Sequence, residues 1–424
     1  MKLYKRLITY FLSGAIVKIL PIIVLPILAV YLTPEDMGKL SNFNVLVSLL
    51  IGAIGMRLSK YVEIEYHNYE NKKHGIGPVI TTILVIHILL VFVSLILIFL
   101  FRNALENILR IDSKFLLLSV IVAFGTVIAT TRSALLRFSE NVKEFVAFNI
   151  LQSALLAILS IIFIVLLKFG WEARAYSYIL TAAVILIFTF IYFIRKGFIL
   201  RSLNLSLIKK TLLFGIPLIP AALVPFIRNA VDRIFITDYI GLSENGIYSL
   251  MVTISSLGFF VINVLFDTII PDIYKMMSSK SYSFRDKEYI VITTSKFVGV
   301  FIVLNILGLI VFNMTYEFFI KEVYFDGVKY MPFLLLHIVF QSIFILLNKF
   351  IYFSKKTVKL GLIYLLISSL HILILLLLIR PFGVFGVIYS TLITDVVFLI
   401  VSYKLSQKYC NLPWNFIVKK LSIK

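Results

Sequence analysis

The sequence has little charge, almost no cysteine and no polar stretch long enough to fold alone. Charged residues make up 15% of its 424 residues, whereas 61% are hydrophobic and the mean hydropathy is +1.03. Such a composition lies outside the range of soluble proteins. The single cysteine, Cys410, excludes a disulfide framework and a cysteine-ligated metal site. The connections between apolar runs are too short to hold a soluble domain.

Long apolar runs recur along the whole chain. Because about 20 apolar residues cross a bilayer as a helix, the sequence predicts about twelve transmembrane helices. The 38 Phe and 22 Tyr suit the aromatic belts at membrane interfaces. The first run has no small-residue cleavage site and is too long for a signal-peptide core, so we expect it to be retained. The predicted spans lie roughly at residues 7–31, 40–58, 79–101, 115–136, 145–167, 174–194, 211–236, 246–270, 290–313, 331–353, 359–379 and 383–404.

Basic residues are distributed unevenly between the two sides of the predicted membrane. The chain has 41 Lys and Arg against 21 Asp and Glu. When the connections are numbered alternately, 26 of the 41 fall on the side of the N-terminus, nine on the other side and six within spans. The positive-inside rule then predicts that both termini are cytoplasmic. The rule also accounts for the net charge of +20 without a nucleic-acid partner.

A short sequence occurs twice, about half a chain apart. YLTPEDMGKLS (Tyr31–Ser41) aligns without a gap with YIGLSENGIYS (Tyr239–Ser249) at an offset of 208, and each copy follows a proline-interrupted span. Since six spans is an even number, both halves enter from the same side and form a parallel repeat. We therefore predict two six-helix lobes, residues 1–208 and 209–424. Matched interrupted spans also point to a substrate site near the middle of the membrane.

The second copy is preceded by charges in an apolar stretch. Arg228, Asp232 and Arg233 follow three prolines within residues 214–249. Proline interrupts helices, and irregular backbone at membrane depth is tolerated only where it packs on protein or lines a watery cavity. Arg228 and Asp232 are four residues apart and share a helix face. Two interpretations stay open: a structural Arg–Asp pair with Arg233 reaching outward, or a cluster that lines a cavity.

Ionisable residues also occur within other predicted spans. His371 and Asp395 fall near the centres of the last two spans, and Asp395 has no counter-charge in its own span. It therefore needs a partner from another helix or a bound proton. Both residues are candidates for coupling transport to H+ or Na+. Basic residues outnumber acidic ones inside the spans, which suits an anionic substrate: Lys18, Arg132, Arg228, Arg233, Lys296 and Lys349 against Asp232, Asp267 and Asp395.

The segment Val231–Ser249 has an Asp followed by a basic residue, an apolar run and a Gly-x-Tyr-Ser ending. This pattern resembles the start of the second half of Wzx-type polysaccharide lipid flippases. These are the O-antigen and capsule exporters of the multidrug/oligosaccharidyl-lipid/polysaccharide exporter superfamily. The segment Tyr31–Ser41 is similar to the family's pattern after its first helix, but departs from it at Lys39 and Leu40. In motif the resemblance covers these two segments, and in architecture it covers the whole chain.

The resemblance implies an all-α polytopic membrane protein whose two lobes form a MATE-like V shape around a central cavity. It implies alternating access, which would carry undecaprenyl pyrophosphate bearing an oligosaccharide repeat from the cytoplasmic to the periplasmic leaflet of a bacterial inner membrane. Polysaccharide polymerase and chain-length proteins are the implied partners, besides membrane lipids. Related flippases use a cationic lumen, and by position Lys18, Arg228, Arg233 and Lys296 would fit into it, with Asp232 beside them.

Three other classes share some of these features. A multidrug antiporter of the same superfamily would need acidic residues to dominate the cavity. A membrane-embedded glycan polymerase would carry an extended periplasmic loop and a paired-carboxylate or nucleophile motif, and the sequence has neither, so we expect no enzyme. A major-facilitator transporter typically has a longer central loop than residues 195–210. No resident cofactor is expected, and passive transport stays open beside ion coupling.

Overall fold

The computed structural model describes residues 24–69, 75–139, 141–200, 203–216, 219–277, 283–354 and 357–414. Helices take up most of these residues, and none of them forms a strand. The predicted all-α class is therefore confirmed. It follows from the composition, because a helix satisfies its backbone hydrogen bonds within one segment and can cross a bilayer alone.

The first of two compact units comprises residues 1–246. Its central helix, α6, packs against α2, α3, α4, α7 and α8. The core between them is aliphatic and includes the fully buried Leu58, Ile80, Ile83 and Ile128. The helices that begin in this unit are α1 (24–31), α2 (Pro34–Gly55), α3 (Leu58–Tyr69), α4 (Gly77–Leu100), α5 (Arg102–Leu109), α6 (Ser113–Phe138), α7 (Val142–Ile161), α8 (Trp171–Arg195), α9 (Leu205–Gly215), α10 (Ile219–Tyr239) and α11 (Leu242–Met277).

The second compact unit comprises residues 247–424. Its helix α15 packs against both α13 and α14. Aromatic rings fill this contact, and Phe344 and Phe398 stack with their centroids 5.1 Å apart. Besides the rest of α11, the unit contains α12 (Phe284–Phe319), a 3-10 helix (Glu322–Tyr330), α13 (Met331–Phe353), α14 (Thr357–Phe382) and α15 (Val384–Cys410).

Nine helices in the described part of the chain are long and apolar enough to cross a membrane. They match nine of the predicted spans. Helices α10 and α11 occupy two further predicted spans, and most of the first predicted span lies outside the described residues. The protein is thus a multi-pass membrane protein. The predicted lobe boundary at residues 208 and 209 stays a prediction.

The proline-rich segment of the seventh predicted span differs in part from expectation. Helix α9 ends at Gly215 and α10 begins at Ile219, and the first proline, Pro217, lies outside the described residues. Beyond it, α10 runs as one α-helix through Pro220 and Pro225. Pro220 lies in the first turn, where its missing N–H leaves no intrahelical bond unmade. The three charged residues therefore lie on regular helix.

Candidate transport site

Helix α10 holds the charged cluster predicted from the sequence. Asp232 is buried, with 4% of its surface exposed, and Arg228 and Arg233 are half-buried. The helix packs against α2 and α5 of the same unit. Charges at membrane depth are costly and usually face a protein interior or a pathway. The placement of the cluster agrees with both interpretations left open by the sequence, a structural pair and a cavity wall.

The other predicted site residues are placed differently. Lys296 lies on α12 in the second unit, and its side chain is exposed. Lys18 and the side chain of Asp267 lie outside the described residues. The structure therefore brings together Arg228, Asp232 and Arg233, which share one helix.

The two copies of the duplicated sequence cross each other in the first unit. A Cβ atom added to Gly38 would lie 2.2 Å from the carbonyl oxygen of Leu242, and one added to Gly246 would lie 1.7 Å from that of Pro34. Each glycine thus meets the residue four positions before the other glycine, and the 208-residue offset maps Gly38 onto Gly246 and Pro34 onto Leu242. A reciprocal contact of this kind is characteristic of two-fold symmetry. It supports the predicted duplication.

A buried amide network lies at the same crossing. Asn245 Nδ2 donates to Asn42 Oδ1 at 2.9 Å and to Thr237 Oγ1 at 3.0 Å. Asn42 Nδ2 donates to the carbonyl oxygen of Leu109 at 2.8 Å. Both asparagines are fully buried. The network joins α2, the end of α5, α10 and the start of α11, and Thr237 lies one turn after Arg233 of the charged cluster.

Two further arginines of the first unit are held by aromatic rings. The guanidinium of Arg132 lies between the rings of Phe148 and Tyr192, at 4.2 and 4.4 Å from their centroids. Arg174 is buried against Ser160 and the hydroxyl and ring of Tyr178. Cation–π contacts stabilise a guanidinium away from water. These two arginines are therefore accounted for by packing, and we do not assign them to a substrate path.

The second unit contains a buried ionisable pair. His337 Nδ1 of α13 lies 2.5 Å from Asp395 Oδ2 of α15. The Asp395 side chain is fully buried, whereas that of His337 is 22% exposed. The prediction for Asp395 is a partner from another helix or a bound proton, and the structure places His337, which has no role in the sequence analysis, beside it. His371 is fully buried on α14, and its Nδ1 lies 3.4 Å from Thr394 Oγ1.

Sequence reasoning missed the amide network and the role of His337. An asparagine inside an apolar span is a detectable signal, since polar groups in membrane helices usually bond to other helices. The partner is not detectable in this way. Asn42 and Asn245 are 203 residues apart, and His337 and Asp395 are 58 apart.

The fold is that of MATE transporters. The chain is similar to the inward-facing conformation of a multidrug resistance MATE family transporter of the MOP superfamily, with a TM-score of 0.67, 14% identity, and 93% and 96% of the two chains covered. It is similar to the MATE multidrug transporter DinF-BH in complex with R6G, with a TM-score of 0.67, 16% identity, and 95% and 96% covered. The outward-facing conformation of a MATE family transporter matches with a TM-score of 0.57, 14% identity, and 95% and 93% covered.

The sequence itself identifies the family. Residues 3–277 match the family model described as polysaccharide biosynthesis protein. The chain therefore belongs to this family, and the resemblance to Wzx-type proteins of the exporter superfamily is confirmed. No curated protein matches the sequence.

Proposed function

We propose that the protein is a flippase for a lipid-linked oligosaccharide. It moves an undecaprenyl-pyrophosphate-linked repeat from the cytoplasmic to the periplasmic leaflet of a bacterial inner membrane, for O-antigen or capsule synthesis. The polysaccharide biosynthesis family supports the substrate class, and the transporter fold supports the type of movement. Translocation breaks no covalent bond, so the proposal assigns no catalytic residue.

The observation that carries the proposal is the charge on α10. Two half-buried arginines flank the buried Asp232, and a second aspartate, Asp238, is exposed near the end of the helix. A pyrophosphate that leaves water needs replacement partners, because burying an unpartnered charge is prohibitive. The guanidinium binds phosphate oxygens in bidentate geometry. We infer that Arg228 and Arg233 bind the pyrophosphate and that Asp232 orients them, with Lys18 and Lys296 as further predicted contacts.

Alternating access also requires that one end of the path be closed. In the predicted topology, Gly38 and Gly246 lie near the periplasmic surface, where α2 and α11 cross. We propose that this crossing seals the periplasmic end, and that release of the head group separates the two helices. Separation would break the bond between Asn245 and Asn42. The isoprenoid tail stays in the bilayer throughout.

A multidrug antiporter is the second candidate. The MATE fold of the structural neighbours favours it. An antiporter for cationic drugs needs acidic side chains around its site, because a buried cation requires a counter-charge. Within the predicted spans, six Lys and Arg outnumber three Asp, which favours the anionic substrate.

The test replaces single arginines in the native bacterium, in a strain whose chromosomal copy is deleted. We expect Arg228→Ala and Arg233→Ala each to lower the surface polysaccharide at least ~10-fold, because truncating one partner of a buried charge pair costs about 2–5 kcal/mol. The lipid-linked repeat should accumulate in the cytoplasmic leaflet. Both pools are measured, and protein level is checked by immunoblot.

Arg195→Ala is the matched control, since Arg195 is exposed at the end of α8. It should leave both pools unchanged. A wild-type level of surface polysaccharide in both α10 variants would overturn the assignment of the site. Wild-type polysaccharide in the deletion strain would overturn the flippase, and the antiporter would then lead.

A further inference from the structure

The seam between α13 and α15 contains pairs of aromatic rings and one ionisable pair. One turn before His337, the Phe333 ring meets that of Tyr389, with centroids 6.2 Å apart. Two turns beyond it, Phe344 stacks on Phe398. The short His337–Asp395 contact thus lies between these two pairs of aromatic rings, with Asp395 fully buried and His337 partly exposed.

Few other titratable groups face this seam in the described part of the second unit. From α14, His371 reaches Thr394, the residue before Asp395. The tyrosine rings on either side of the pair are Tyr364, which contacts Phe398, and Tyr389, which contacts Phe333.

The charged side chains on the packed helices lie elsewhere. Lys296 and Glu317 of α12 and Arg380 of α14 are exposed. Lys349 of α13 and Lys404 of α15 are more than two helical turns along their helices from the pair. Of the groups named here, His337 lies within hydrogen-bonding distance of Asp395.

We propose that the His337–Asp395 pair is a proton-binding site that couples transport to the proton gradient. The coupling part rests on the proposed flippase function, and the binding part does not. With one proton shared between imidazole and carboxylate, the pair carries no net charge. When the proton leaves, a net charge of −1 remains in the seam.

The free-energy cost of burying that charge couples the loss of the proton to a change of conformation. An uncompensated charge in an apolar interior is strongly destabilising. Loss of the proton therefore favours a conformation in which α13 and α15 admit water, and proton binding favours the sealed seam. The exposed edge of His337 is the route by which the proton enters and leaves. Histidine suits this role because its charge changes between about pH 5 and 8.

A sodium ion is the rival ligand. Hard cations take several oxygen ligands, whereas here one carboxylate oxygen is already paired with an imidazole nitrogen. Among the described residues, no group of three or more His, Cys, Asp or Glu could hold a metal ion. The geometry therefore favours the proton.

Proton binding is tested directly on the purified full chain in liposomes. Infrared difference spectra are recorded between pH 5 and 8. In the wild type we expect a titrating carboxyl and imidazole signal, which Asp395→Asn abolishes. His337→Gln should remove the imidazole part and change the carboxyl part of the signal. Glu317→Gln, an exposed carboxylate on α12, is the matched control and should leave this signal in place.

Circular dichroism shows whether each variant is folded. If Asp395→Asn is not folded, the spectra of His337→Gln are compared with those of the wild type instead. Identical titrations in the wild type and in Asp395→Asn would overturn the site. A signal that responds to NaCl at constant pH, and not to pH, would assign the site to sodium and overturn the proton.

Coupling is tested in the same liposomes with a lipid-linked oligosaccharide and an imposed pH gradient. We expect the gradient to change wild-type flipping several-fold and to have no effect on flipping by Asp395→Asn. Wild-type flipping that ignores the gradient would overturn coupling and leave the flippase standing. A titrating pair in a protein that flips nothing would overturn the flippase and leave the proton site standing.

Discussion

The amide network of the first unit and the histidine–aspartate pair of the second unit are both buried polar groups between membrane helices, but they differ in what they respond to. The network of Asn42, Thr237 and Asn245 is neutral and depends on two glycines that let the backbones approach. The pair depends on one proton. The contact in the first unit therefore depends on how closely the two backbones can approach. The contact in the second unit depends on the charge of the pair.

The largest expected effect comes from closing the space at the crossing. Gly246→Ala places a Cβ 1.7 Å from a backbone oxygen, which cannot move aside as a flexible side chain can. We expect a loss of about 3 kcal/mol of unfolding free energy or more, at the upper end of overpacking costs. Denaturation of the purified protein in detergent measures it.

Gly299→Ala is the matched control, because nothing lies within 4 Å of a Cβ added there. On a helix this change should be neutral or stabilise by up to about 1 kcal/mol. Equal stability of the Gly246 and Gly299 variants would show that the crossing is not close-packed.

Smaller losses of unfolding free energy are expected from variants of the amide network and of the His337–Asp395 pair, and the two should differ in how the loss depends on pH. Asn245→Ala leaves Asn42 and Thr237 short of a partner, and we expect it to cost about 1–3 kcal/mol at every pH. The cost of His337→Gln should instead vary between pH 5 and 8. Unfolding free energies of both variants across this range test the comparison.

Asn103→Ala, at an exposed position of α5, should stay within about 0.5 kcal/mol of the wild type. If the cost of Asn245→Ala changed with pH as strongly as that of His337→Gln, the distinction between the two contacts would fail.

The smallest effect is expected at Lys296. Its side chain is exposed, so Lys296→Ala should change the unfolding free energy by less than about 0.5 kcal/mol. If Lys296 contacts the substrate as predicted, flipping should fall two- to threefold, measured in liposomes beside Lys404→Ala as an exposed control. Flipping equal to that of the control would remove Lys296 from the site.

Much of the fold could be predicted from the sequence because hydropathy and charge act locally. The spans follow from runs of apolar residues, and the predicted duplication follows from two similar segments, Tyr31–Ser41 and Tyr239–Ser249, that lie 208 residues apart. The burial of Asp232 and Asp395 also agrees with charged residues set deep in apolar spans.

The partners could not be predicted, because they depend on packing between distant helices. Arg132 and Arg228 look alike in sequence, yet Arg132 is held between two aromatic rings that lie on α7 and α8. The same limit applies to His337, whose role depends on a residue of another helix.

The most direct measurement of the central claim is the transfer of a lipid-linked oligosaccharide between leaflets. The purified full chain is reconstituted in vesicles, and a membrane-impermeant lectin reports the oligosaccharide in the outer leaflet. We expect transfer at least ~10-fold faster than in protein-free vesicles, and a loss of most of this rate in Arg228→Ala. Transfer at the protein-free rate by the folded wild type, in vesicles that export a cationic dye, would contradict the central claim.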